Sequence, residues 1–236
     1  MNTLFIQNIS LDLSEIYPNS YLKNIKTLKG LHKLEFTKPI TIFTGENGSG
    51  KSTLIEAMAI AAGFNPEGGT KNYNFSTYNS HSELYKYLTL GRGIYREKFG
   101  YFFRAETFYN VSTAEREYSD ISHPSLKYHE HSHGESFLIA AENYLKPKGL
   151  YFLDEPEAAL SPQRQLTLLT DIYETSKNNS QFFIATHSPI LLGIPNAEIL
   201  NFSNGIITPC KYEQTDSYQI TEMFINHREQ FLRKLI

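Results

Sequence analysis

Cysteine is almost absent from this chain. Cys210 is the only one among 236 residues, so no intrachain disulfide can form, and a reducing, cytoplasmic compartment is expected. A charge excess is missing too. The 22 Lys and Arg stand against 25 Asp and Glu, a formal net charge of −3. That balance carries no bulk signature for nucleic acid or an anionic membrane, although it leaves room for a local patch. No apolar run approaches the roughly 20 residues that cross a bilayer. If the chain serves a membrane machine, another chain is expected to supply the membrane part. The first ten residues, Met-Asn-Thr-Leu-Phe-Ile-Gln-Asn-Ile-Ser10, lack a basic segment followed by a long apolar core. They read as a strand and not as a signal peptide. Internal repeats and low-complexity tracts are also lacking.

What is present is a chain long enough for one large domain, or for one domain with a small subdomain. Residues 3–11 and 31–37 read as strands of a first β-layer, and 40–44 as a further strand. From Gly63 to Tyr78 the composition turns to Asn, Gly and Pro, which marks a loop. A short helix is expected at 80–89, an aromatic strand at 99–104, and polar, loop-like chain at 106–131. Helical spacing resumes over 136–146. The runs Gly149-Leu-Tyr-Phe-Leu-Asp154 and Gln181-Phe-Phe-Ile-Ala-Thr186 are continuously apolar, as strands buried on both faces of a parallel sheet are. Between them Ser161 and Pro162 form a cap and first-turn pair that opens a helix to about residue 177. A terminal helix is expected over 217–235. Strands alternating with helices argue an α/β domain with a mainly parallel sheet.

The most specific string is Gly45-Glu-Asn-Gly-Ser-Gly-Lys-Ser-Thr53, which fits G-x-x-x-x-G-K-[ST]. It follows the apolar run Pro39–Thr44 and precedes a helix-forming stretch, Thr53–Ala62, ended by Gly63. Gly48 and Gly50 permit the tight turn that lets successive N–H groups point at phosphate oxygens. Lys51 can neutralise the β- and γ-phosphates, and the Ser52 hydroxyl can hold Mg²⁺. The helix N-terminus adds its own attraction for anions. Gly45, Glu46, Asn47, Gly48, Ser49, Gly50, Lys51, Ser52 and Thr53 are therefore the candidate nucleotide-binding residues.

Two further strings carry chemistry. The strand ending in Asp154-Glu155 offers one carboxylate for the Mg²⁺ shell (Asp154, with Ser52) and one to face an attacking water (Glu155). The run Ile184-Ala-Thr-His187-Ser-Pro189 ends another apolar strand in a histidine that can hydrogen-bond a γ-phosphate. Glu155 and His187 are the candidate catalytic residues.

Taken together, these strings resemble the ATP-binding-cassette (ABC-type, P-loop) ATPase superfamily. GENGSGKST looks like its Walker A loop, YFLDEPEAAL like Walker B with the catalytic Glu and the start of the D-loop, and ATHSP like the switch-histidine loop. His131-Ser-His-Gly-Glu-Ser136, between Walker A and Walker B, is similar to the Leu-Ser-Gly-Gly-Gln signature. The order and spacing match from about residue 30 to residue 200. The strings FFRAETF and SHGESFL look like a group of small, soluble bacterial AAA/SMC-like ATPases, nearer the repair and chromosome-maintenance branch than the transporter branch. The resemblance implies a P-loop NTPase fold with a mainly parallel central sheet, an antiparallel N-terminal β-layer and a short helical insert at about 64–147 of a single domain spanning 1–236. It also implies ATP hydrolysis with Mg²⁺ and a head-to-tail homodimer closing on ATP, with Ser132 and Gly134 reaching the nucleotide of the other subunit. An unidentified protein partner would receive the conformational change.

Departures from the family pattern are specific. His131 and His133 stand at the signature's Leu and first Gly positions, and Ser161 at the D-loop Asp position. No Q-loop Gln is evident, with Glu106 the nearest residue to that place. Tyr17 and Tyr21 both stand as candidates to stack on adenine. About 80 residues separate Lys51 from Ser132, too few for the long coiled-coil arms of the repair relatives. A metal site at His129, His131 and His133 lacks a cysteine or carboxylate partner at zinc spacing. The 16 Phe and 16 Tyr are expected to serve packing, since a base-stacking platform also needs a basic groove. A transporter's energy subunit and a nucleic-acid-linked or defence-associated ATPase are the alternative settings for the same chemistry. A non-hydrolysing nucleotide sensor is a third.

Overall fold

The computed structural model describes residues 3–17, 19–71, 82–105 and 133–236. Along the chain run β1 (Ile6–Leu11), α1 (Lys26–Lys29), β2 (Lys33–Glu35), β3 (Ile40–Gly45), α2 (Lys51–Ala61), β4 (Leu88–Arg92), β5 (Phe99–Arg104), α3 (His133–Tyr144), β6 (Gly149–Asp154), α4 (Pro162–Ser176), β7 (Gln181–Ala185), α5 (Pro189–Leu192), β8 (Glu198–Ser203), β9 (Ile206–Cys210) and α6 (Asp216–Leu235). Among the described residues the strands form two sheets. An antiparallel sheet has the order β2-β1-β4, and a six-stranded sheet has the order β5-β6-β7-β3-β8-β9. In the larger sheet every pairing is parallel except that of β8 with β9.

The large sheet is covered on both faces, and the period of two along each strand divides its side chains between two cores. Leu150 and Phe152 of β6, Phe183 of β7 and Phe43 of β3 join α2 and the antiparallel sheet in one core. Tyr151 and Leu153, Phe182 and Ile184, and Ile40 and Ile42 join α3, α4 and α5 in the other. Each fully buried Phe of these runs contributes about 2–3 kcal/mol by removal from water. Rings of Phe64, Phe152, Phe183 and Phe36 follow one another through the first core at centroid separations of 5.6, 5.4 and 4.7 Å. The aromatic content of these strands therefore serves packing.

Gln181 is the polar exception within the β7 run. It is 1% exposed, its Oε1 accepts from the backbone N–H groups of Phe5 and Ile6 at 2.9 Å each, and its Nε2 donates to the Ile6 carbonyl at 2.8 Å. One side chain thus fastens the antiparallel sheet to the parallel one.

Three segments differ from expectation. The helix expected at 80–89 is a 3-10 turn, Glu83–Tyr87, capped by Ser82, which gives way to β4. Leu88 and Leu90 follow the period of two once β1 offers an antiparallel ladder, and that pairing overrides local helix preference. The β8–β9 hairpin was not expected at all. Its turn is Asn204-Gly205, at φ 52° and 78°, the left-handed pair that a two-residue hairpin loop requires. Of the expected insert at about 64–147, the described part holds α3 and also β4 and β5, each a member of a sheet. The loop-like chain expected at 106–131 lies outside the described residues. Elsewhere, Ser161 caps α4 by accepting from the Arg164 N–H at 3.4 Å, with Pro162 in the first turn. Gly63, at φ 95°, closes α2.

Candidate functional site

Parallel pairing brings the carboxyl ends of β5, β6, β7 and β3 to one edge of the sheet, where an open α/β sheet holds its ligands. Arg104 lies opposite Asp154, and Asp154 opposite Ala185. The Thr186 N–H continues the ladder to the Phe43 carbonyl at 3.2 Å. The Gly45–Ser52 loop leaves β3 at this edge.

Two glycines make the loop what it is. Gly45 sits at φ 128°, and a Cβ there would run into the backbone carbonyl of Phe202 on β8. Gly50, the N-cap of α2, is left-handed at φ 99°, and a Cβ would lie 2.7 Å from the Ile25 side chain. The loop is also tied from outside, since the Thr27 hydroxyl donates to the Ser49 carbonyl. α2 then starts at Lys51, so the N–H groups of its first turn face the loop without intrahelical partners. Lys51 is 4% exposed. Its ammonium donates to the carbonyls of Gly45 at 2.9 Å and Glu46 at 2.8 Å, and to the Ser49 hydroxyl at 3.5 Å. Burial lowers its pKa, while the carboxylates of Glu155, Asp154 and Glu157 act in the opposite sense.

Asp154 ends β6 with its side chain buried. Glu155 follows in the left-handed region at φ 48°, ψ 50°, a conformation that costs a non-glycine residue on the order of 1 kcal/mol. Its N–H donates to the Ala185 carbonyl at 2.9 Å, which holds the bend in place. Ser52, Arg104, Asp154 and Glu155 face a common cavity of about 400 Å³. The oxygen donors there are hard ones, a hydroxyl and carboxylates, the set that suits Mg²⁺ carried on phosphate. Among the described residues no group of three His, Cys, Asp or Glu side chains gathers for a metal.

His187 stands beside the loop and lines a second cavity of about 420 Å³ together with Gly45, Glu46 and Asn47. Its Nε2 is buried and has no hydrogen-bond partner among the described residues. Burial and the nearby Lys51 charge lower its pKa, against the opposing pull of Glu155 and Glu157. The imidazole is therefore held toward its neutral form.

Three residues missed in the sequence hold this arrangement. Glu157 accepts at one oxygen from the backbone N–H groups of His187 at 2.6 Å and Ser188 at 3.2 Å, which joins the β6 turn to the histidine loop. Its only sequence signal was a second carboxylate just after Glu155-Pro156. Arg104 donates to Glu56 at 2.6 Å and has its Nε 3.8 Å from the Asp154 carboxylate. Glu56, on α2, also accepts from the Ser82 N–H at 2.7 Å. Sequence spacing held no sign of this Glu56–Arg104 pair, since 48 positions separate its members.

The remaining candidates fall elsewhere. Gly134 is buried in the first turn of α3, where a Cβ would lie 2.6 Å from the Ala159 carbonyl and 2.8 Å from the Arg164 guanidinium. Arg164 also bridges to Glu135 at 2.9 Å. Ser132, Glu106, His129 and His131 lie outside the described residues. Tyr17 and Tyr21 are exposed, and Ser161 is occupied as a helix cap.

A strand, a glycine loop over a helix N-terminus, and an acidic strand end beside it define a P-loop ATPase fold. Residues 21–183, well over half of the chain, match the family model AAA_23, described as an AAA domain; the chain belongs to that family. No curated protein matches it. Among solved structures it is similar to the SMC head domain from Thermotoga maritima (16% identity, 88% of this chain and 100% of that one, TM-score 0.48). It is also similar to an Smc head domain with coiled coil and joint derived from Pyrococcus yayanosii (24% identity, 39% and 19%, TM-score 0.32). A third is an inward-facing metal-chelate type ABC transporter (16% identity, 80% and 79%, TM-score 0.43). Among the described residues no helix is long and apolar enough to cross a membrane.

Proposed function

We propose that the chain is a single ABC-type ATPase domain, residues 1–236 with an insert at about 64–147, that binds Mg²⁺-ATP and hydrolyses it to ADP and phosphate. The reading is carried by one observation: Ser52, at the start of the helix that the glycine loop opens, faces the same cavity as Asp154 and Glu155. In this reading the loop amides and Lys51 bind the phosphates. Ser52 and Asp154 hold Mg²⁺, which neutralises phosphate charge when bound. Glu155 accepts the proton of the attacking water, and the His187 imidazole hydrogen-bonds the γ-phosphate.

The same proposal includes a head-to-tail homodimer that closes on ATP, with Ser132 and Gly134 contributing to the partner's site, and a protein partner that responds to closure in a cytoplasmic setting. ATP would stabilise such a dimer by linkage, because it binds the closed form preferentially. Lys51→Ala tests the phosphate assignment. Loss of a charge-assisted contact is expected to weaken Mg²⁺-ATP binding by about 10- to 100-fold, read by isothermal titration. Unchanged affinity would remove Lys51 from the site.

A further inference from the structure

A third cavity, with charge of its own, lies at the opposite pole of the parallel sheet. Lys98 precedes β5, Lys148 precedes β6 and Asn179 precedes β7. These amino ends are about 20 Å from the strand ends that carry Asp154 and Glu155. The cavity holds about 360 Å³, and Arg96, Lys98 and Lys148 line it with Tyr95 and Asn179 over a floor at Phe5.

Its construction concentrates positive charge. The Lys98 N–H donates to the Lys148 carbonyl at 2.9 Å, which joins the two segments. Lys148 and Asn179 both adopt left-handed φ, 61° and 58°, in the turns that feed β6 and β7. Glu97, between Arg96 and Lys98, does not cancel them. Its side chain is 7% exposed and is engaged by Lys71 and Arg92. Although burial raises its pKa, those cations hold it below the usual carboxylate value. No ion pair to a described residue engages Arg96, Lys98 or Lys148, although the Arg96 guanidinium donates to the Gly93 carbonyl at 2.6 Å, and no carboxylate of a described residue lines the cavity. Tyr95 is 49% exposed at its rim.

We infer that this pole is a binding site for single-stranded nucleic acid, with the phosphate chain on Arg96, Lys98 and Lys148 and a base stacked on Tyr95. A groove of solvent-facing cations beside an open aromatic ring is the pairing that sequence-tolerant strand binding uses. A lone small anion would gain little from cations that remain this wet, whereas a chain of phosphates engages several at once and releases counterions. The net charge of −3 concealed the patch because the balancing acids lie elsewhere.

The test is fluorescence anisotropy of a labelled twelve-nucleotide oligo-dT titrated with the full chain over a salt series. The parent is expected to bind with a steep salt dependence. The triple variant Arg96→Ala, Lys98→Ala, Lys148→Ala should lose at least about ten-fold in affinity and about two units of salt slope, at ~0.7 per lost phosphate contact. Tyr95→Ala should lose about five-fold or more with the slope kept. Thermal melting should stay near the parent's for both, since these side chains are exposed. Absence of oligo-dT binding by the parent overturns the inference, as does equal binding by the folded triple variant. If Tyr95→Ala binds like the parent and tripolyphosphate competes as well as oligo-dT, the cavity is a simple anion site and the nucleic-acid assignment fails.

Discussion

Arg104→Ala exposes how the site is held from behind. Arg104 is 2.6 Å from Glu56 and 3.8 Å from Asp154, with side-chain exposures of 19% for the arginine, 6% for Glu56 and 7% for Asp154. Truncation removes the guanidinium shared by two buried carboxylates. Breaking a buried ion pair from one side costs about 3–5 kcal/mol because the remaining charge is left without compensation. Glu56 retains its bond from the Ser82 N–H, and the arginine is not fully buried, so the lower figure of about 3 kcal/mol is expected. For a chain of this size that corresponds to a fall in Tm of about 6–12 °C. The replacement Glu56→Gln keeps shape and the Ser82 acceptor, and combining it with Arg104→Ala removes both charges of the pair. The double variant should therefore recover most of the lost stability, with a coupling of about 2 kcal/mol in a double-mutant cycle. Urea unfolding of the four proteins measures it. If Arg104→Ala melts within a degree or two of the parent, or the four values add without coupling, the pair does not support the acidic strand end.

Three further outcomes are expected. Gln181→Leu leaves the N–H groups of Phe5 and Ile6 and the Ile6 carbonyl without their bonds and should cost about 3 kcal/mol in urea unfolding; a loss below about 1 kcal/mol would mean that the two sheets hold together without it. Glu155→Gly should relax the left-handed bend and leave Tm equal to or above the parent's, the gain being partly offset by greater freedom of the unfolded chain; a fall of several degrees would show that the carboxylate and not the bend matters for stability. The lowered pKa of His187 means that the unfolded chain binds more protons as pH falls past its ordinary value of 6.5. Its contribution is thus present above pH 6.5 and is lost as pH drops through the folded-state pKa. Folded His187→Asn should show a flatter stability profile across that window, measured by chemical unfolding at each pH.

Much of the fold was legible because its signals are local. The Gly45–Ser52 string, the apolar runs at 149–154 and 181–186, and the Ser161-Pro162 helix start are each written in consecutive residues, and each element formed within a few positions of its expected bounds. β4 was not legible because its ladder partner, β1, lies far back in the chain. The β8–β9 hairpin is a different case: its Asn204-Gly205 turn between apolar runs is a local signal that consecutive residues carry. Within the site, Lys51, Asp154 and His187 belong to strings with a chemical reason for their spacing. Glu56, Arg104 and Glu157 act by distance-dependent charge and hydrogen bonding between elements, which only the folded arrangement brings together. The basic pole was hidden for the same reason, since Lys98 and Lys148 become neighbours through the pairing of β5 with β6.

The central claim is hydrolysis of Mg²⁺-ATP with Glu155 as base, and one comparison tests it most directly. Turnover of ATP by the purified chain should be measured beside that of Glu155→Gln, with ATP binding and molar mass followed on the same samples. The account predicts turnover in the parent, a loss of at least about 100-fold in the variant, retained ATP binding, and accumulation of an ATP-bound dimer. A Glu155→Gln protein that hydrolyses ATP at the parental rate would contradict it.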